Sequence, residues 1–215
     1  MEEEKKLNFH SESLQKIIDK YIKGRIEYKG FEVVLSEIFQ RRAAEFDYTD
    51  EEMEKQLETF TSNVKFLCFK PNVFLAKSSA HYHPAMSTIA FNQDTFEYLK
   101  QASIDNPKFD CGEMMFEIFT HEVYHAISYK SQYEIGLAKK RMFGVVDQTI
   151  NEAFTETAAS RAVYNRSEDN SRVYYKKTSG YQDIVFVPEL IASIIGETEK
   201  NVLKAGMAGS KELEE

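Results

Sequence analysis

The stretch Phe119-Thr120-His121-Glu122-Val123-Tyr124-His125-Ala126-Ile127 carries the side chains best suited to chemistry. His121 and His125 are four residues apart, so a helix sets both imidazoles on one face, one turn from each other. That spacing suits two nitrogens binding one zinc ion at about 2.0–2.1 Å. Glu122 projects beside them and can reach a zinc-bound water without itself being a ligand. Zinc lowers the pKa of such a water to about 7, and a carboxylate takes its proton as it attacks a carbonyl. In a chain with five histidines a chance H-E-x-x-H is expected on the order of one time in a hundred. The same segment holds Met114, Met115, Phe116, Ile118, Phe119, Val123, Tyr124 and Ile127, apolar nearly all round, as in a buried helix. Burying Glu117, His121, Glu122 and His125 without partners would cost about a few kcal/mol per group, and a divalent cation supplies a partner. The bland alternative is a pair of hydrogen-bonded core histidines.

Three protein ligands leave a fourth position open for water. The extension that metzincins use needs Gly and His three and six residues after the second histidine; Ser128 and Ser131 stand there instead. The next helical segment offers Asn151-Glu152-Ala153-Phe154-Thr155-Glu156. Glu152 and Glu156 share a face that Ala159 and Val163 continue. Two carboxylates on an apolar stripe raise each other's pKa unless a cation lies between them and the other helix. With Glu152 as ligand and Glu156 holding a ligand imidazole, both are satisfied. Ala153, Ala158, Ala159 and Ala162 are small enough for the two helices to approach closely.

His121-Glu122-x-x-His125 followed by Asn151-Glu152-x-x-x-Glu156 resembles the gluzincin branch of zinc metallopeptidases, the thermolysin-like clan, whose pattern is HExxH and then NExxxD on a second helix. The resemblance spans about residues 75–160. It implies that His121, His125 and Glu152 bind Zn2+, that Glu122 is the general base, and that Glu156 takes the place of the family's Asp, one methylene longer. It also implies a zincin-like fold with a small sheet upstream, whose edge strand borders the cleft and pairs with an extended peptide. Thr88-Ile89-Ala90-Phe91-Asn92 is the candidate edge. Members of this clan aim a Tyr or His at the developing oxyanion. No histidine follows His125, so Tyr174, Tyr175 and Tyr181 are the candidates; Tyr181, beside Gly180 at an element boundary, is preferred.

The elements that must position these groups are mostly helical. Nine glycines and four prolines in 215 residues mean few turns and long elements. Leu14, Ile17, Ile18, Tyr21 and Ile22 keep helical spacing, as do Phe31, Val34, Leu35, Ile38 and Phe39. Thr49 with Glu52 predicts a capping box opening a third helix. Residues 64–69, 72–76 and 86–91 are short and β-prone, predicting a small, mainly antiparallel sheet because the connections look too short for crossovers. Helices are expected from Asp94, from Asp110 (as a cap) to about Tyr129, from Val145 to Tyr164, and from Pro188 through Ile195, with a polar loop over 164–180. The expected class is α+β: an N-terminal helical segment over 1–60 and a catalytic unit over 61–215, together one compact body.

The remaining signals set limits. Twenty-seven basic against 35 acidic residues give a net charge of −8, which argues against nucleic acid as main partner. The Lys139-Lys140-Arg141 run is ordinary solvation. No signal peptide or membrane-spanning run is legible, and Cys68 and Cys111 fit no CxxC pattern, so two free thiols in a reducing cytoplasm are expected. His81 and His83, two residues apart, would share a face of an extended chain and could bind metal or line a substrate cleft. Solvated loop histidines beside Pro84 are the plainer expectation. The reading that follows is a zinc peptidase acting on a peptide or protein. Its rivals are a zinc-holding regulatory domain that no longer cleaves, and a helical interaction protein whose motif is accidental.

Overall fold

The computed structural model describes residues 12–71, 78–106, 111–131, 134–135, 138–139, 145–164 and 184–208. The chain opens with three helices, α1 (Glu12–Ile22), α2 (Glu32–Phe46) and α3 (Asp50–Asn63). Each buries one stripe: Leu14, Ile18, Tyr21 and Ile22 from α1, Leu35, Ile38, Phe39 and Phe46 from α2, Met53, Leu57 and Phe60 from α3. The expected capping box is present. Thr49 Oγ1 accepts the Glu52 N–H at 3.2 Å, and Glu52 Oε2 accepts the Thr49 N–H at 2.8 Å. Two otherwise orphaned donors are thereby satisfied where α3 begins.

Strands β1 (Phe66–Lys70), β2 (Ala80–His83) and β3 (Thr88–Asn92) follow, then α4 (Gln93–Asp105). The spatial order is β1-β3-β2, with β1 and β3 parallel and β2 and β3 antiparallel. Two expectations are corrected here. The sheet is mixed, because the connection from Lys70 to Thr88 passes through β2 and has the dozen or more residues that a parallel pairing requires. Thr88–Asn92 is the central strand, flanked on both sides, so it cannot be the edge to which a peptide adds. The expected strand at 72–76 lies outside the described residues. One face of the sheet carries Leu67, Phe69, Ile89 and Phe91. These rings stack on the helix side, Phe91 against Phe119 with centroids 3.8 Å apart and Phe69 edge-on to Phe96 at 5.3 Å. The aromatic layer fixes the sheet on the helix that bears the histidines.

That helix is α5 (Cys111–Ser128); the expected Asp110 cap lies outside the described residues. Asn63 ends α5, its Nδ2 donating to Ala126 O and Tyr129 O at 2.9 Å each. Short strands β4 (Tyr129–Ser131), β5 (Glu134–Ile135) and β6 (Ala138–Lys139) form an antiparallel meander before α6 (Val145–Tyr164). Lys139 falls in β6, and Lys140 and Arg141 lie outside the described residues. Helices α5 and α6 pack directly on each other, with Ala153, Ala158, Ala159 and Ala162 all buried. The last helices are α7 (Val187–Ile195), with proline in its first turn and Gly196 in the left-handed region at its end, and α8 (Glu199–Ala208). Arg161 ties α6 to α2 and α8 through Glu45 at 2.8 Å and Glu199 at 2.7 Å. One cluster of buried apolar residues runs from Leu14 to Met207. The protein is mostly helical with a small mixed sheet, an α+β arrangement. Among the described residues no helix is long and apolar enough to cross a membrane. Cys68 is a free thiol; the Cys111 side chain is outside what is described.

Candidate metal centre

Helix α5 is apolar on most of its circumference, and Glu117, His121 and His125 form one line that meets side chains of α6. Glu117, His121, Glu122 and His125 are all buried. From α6, Glu152 and Glu156 come to meet them. The four-residue period places each pair on one helical face, and the buried alanines between let the helix axes approach.

Three ligand atoms form a compact triangle. His121 Nε2 and His125 Nε2 are 3.0 Å apart, and Glu152 Oε2 is 3.3 Å from each. A tetrahedral ion with bonds of about 2.0–2.1 Å needs its ligand atoms about 3.3 Å apart, so the triangle fits such an ion without rearrangement. His121, His125 and Glu152 therefore form a group that can hold a metal ion.

Around the triangle, other side chains settle which ring nitrogens face inward. Glu156 Oε2 accepts the His121 Nδ1 proton at 2.8 Å, which leaves Nε2 as a lone pair. The Asn151 carboxamide stands 3.2 Å from His125 Nδ1, and Thr155 Oγ1 3.5 Å from it. As placed, Asn151 Nδ2 meets the ring; with the carboxamide turned over, Oδ1 would take the Nδ1 proton and free Nε2 in the same way. Asn151 and Thr155 had no assigned role in the sequence reading, although Asn151 opens the motif that supplied Glu152.

Electrostatics of the pocket favour positive charge. Burial by itself would lower the pKa of His121, but Glu152 and Glu156 outweigh it and hold the imidazole well above its ordinary value. Burial would likewise raise Glu152, yet the His121 and His125 imidazoles beside it win and hold it well below the usual carboxylate range.

Glu122 lies on the same helix and is held from another direction. The backbone N–H of Tyr82 donates to Glu122 Oε2 at 2.7 Å. Asn92 N–H donates to Ser79 O at 2.8 Å, so pairing alternates from there, and Tyr82, opposite Ile89, falls on a non-hydrogen-bonded pair. Its N–H thus points away from β3 and toward α5. This contact left no trace in residue types. Two of the four α5 groups for which a cation was expected need none: Glu122 has Tyr82, and Ser160 Oγ donates to Glu117.

His81 and His83 are corrected from loop to strand, since both lie in β2 on either side of Tyr82. Burial, and then the neighbouring His81, lower the pKa of His83. Tyr124 is core, fully buried with its ring 4.2 Å from the Arg42 guanidinium carbon. Tyr174, Tyr175 and Tyr181 lie outside the described residues. No known protein family, no curated protein and no solved structure matches this chain.

Proposed function

We propose that the protein is a zinc-dependent peptidase of gluzincin-like, zincin-fold type. The observation that carries this reading is the 3.0–3.3 Å triangle of two imidazole nitrogens and one carboxylate oxygen, with Glu122 in the helical turn between the two histidines. His121, His125 and Glu152 would hold the ion, and zinc suits a set of two imidazoles and one carboxylate. When bound, zinc polarises a carbonyl and lowers the pKa of water to about 7. Glu122 is the base: it takes a proton from the attacking water and returns it to the leaving amine. Tyr82 N–H occupies Oε2 and orients the carboxylate, which leaves Oε1 to receive the proton. Glu156 fixes the His121 ring so that its lone pair stays aimed between the helices.

The test is Glu122→Gln with metal analysis and a broad fluorogenic-peptide screen. Hydrolysis should vanish while one zinc per chain remains. Wild-type turnover in Glu122→Gln would refute the base assignment. A second reading is favoured by the engagement of Glu122 with the sheet: a zinc-holding domain that binds partners without cleaving. It predicts stoichiometric zinc with no chelator-sensitive hydrolysis in the wild type.

A further inference from the structure

The histidine pair of β2 shares no residue with the centre above. A strand advances about 3.3 Å per residue, so the backbone alone holds residues i and i+2 about 6.6 Å apart. The His81 and His83 rings nonetheless close to 4.3 Å between centroids, at an interplanar angle of 73°. Both project from the sheet face opposite Ala80 and Tyr82, His81 exposed and His83 half-buried. Their cross-strand partners are Ala90 and Thr88. Two imidazoles this close on one strand face, both reachable from solvent, are placed to bind one ion together.

We infer that His81 and His83 together bind a borderline divalent transition-metal ion, of the Cu2+, Ni2+ and Zn2+ class, as a second and weaker site beside Glu122. Imidazole nitrogen selects this class over Mg2+ and Ca2+, which demand oxygen ligands, and Cu2+ is held most tightly in the series. Two protein ligands leave the other positions to water, so the ion exchanges more readily than one held by three ligands between buried helices. The net charge of −8 favours cations near the surface.

Calorimetric titration of Zn2+, and separately of Cu2+, into the metal-free full chain tests this. Wild type, His81→Ala, His83→Ala and His121→Asn are compared, with circular dichroism to establish that each is folded. The wild type should show a tight and a weaker step, and His81→Ala and His83→Ala should each lose the weaker step while keeping the tight one. His121→Asn should impair only the tight step, so failure at either centre is seen separately. A single wild-type step supports the pair if His81→Ala removes it. A weaker step that survives in both His81→Ala and His83→Ala overturns the inference, as does a single step that His81→Ala leaves intact.

Discussion

Removing Glu156 should weaken metal binding by an amount that separates its two contributions. The carboxylate accepts the His121 Nδ1 proton at 2.8 Å and is itself nearly enclosed, so water cannot replace it easily. Groups that orient a ligand imidazole typically contribute about 10–100-fold in metal affinity. Glu156→Gln keeps an acceptor oxygen but loses the charge, and should fall near tenfold. Glu156→Ala loses both and leaves a buried N–H unpaired, so a drop near a hundredfold, about 2.7 kcal/mol, is expected. Competition against a chelating dye at fixed pH reads this directly. Thermal melts give an independent check. At zinc a hundredfold above the wild-type Kd, binding stabilises the wild type by about 2.7 kcal/mol, or about 5–11 °C for a chain of this length. At the same zinc concentration a hundredfold weaker variant gains only about 0.4 kcal/mol, about 1–2 °C. Equal zinc affinity in Glu156→Ala and wild type would refute the argument, because the imidazole would then need no partner on α6.

Other outcomes follow from packing and charge. Arg161→Met strands the half-buried Glu45 and Glu199 without their partner and should cost about 3 kcal/mol at pH 7, read by urea denaturation. Burial already raises both carboxylates against the pull of Arg161, and its loss raises them further. A raised folded pKa gives stability that is present below the unfolded value near 4.5 and lost as pH climbs through the folded value, so the deficit should shrink on acidification. A deficit independent of pH would contradict this. Phe119→Ala empties the centre of the aromatic layer between sheet and α5 and should cost about 3–5 kcal/mol in the same assay. Thr49→Ala breaks the capping box and should cost about 1 kcal/mol, lowering the melting temperature by about 2–4 °C.

The helices and the ligand triangle were legible because both are written at fixed short periods. His121 and His125, and again Glu152 and Glu156, are one turn apart, and the alanines of α6 announce a close neighbour. The sheet was not legible in the same way. Strand β2 has only four residues, His-Tyr-His after Ala80, with no β-branched member, and its alternation of buried Ala80 and Tyr82 with outward histidines is too short to stand out. The placing of β3 between β1 and β2 depends on pairings distant in sequence, which no local pattern encodes. The partners of Glu117 and Glu122 were missed for two reasons. Ser160 is an unremarkable residue type on a distant turn, and the Tyr82 donor is main chain.

The Tyr82 donor has a genetic consequence. Since every amino acid except proline brings an amide hydrogen, almost any substitution at position 82 leaves the clasp on Glu122 chemically available. The phenolic ring there answers to a different demand, filling space beneath the sheet near Tyr129. Drift at this position is thus filtered by volume, and the hold on the carboxylate is disrupted only by proline or by β2 slipping one residue along its neighbour, which would turn both imidazoles inward and expose the phenol.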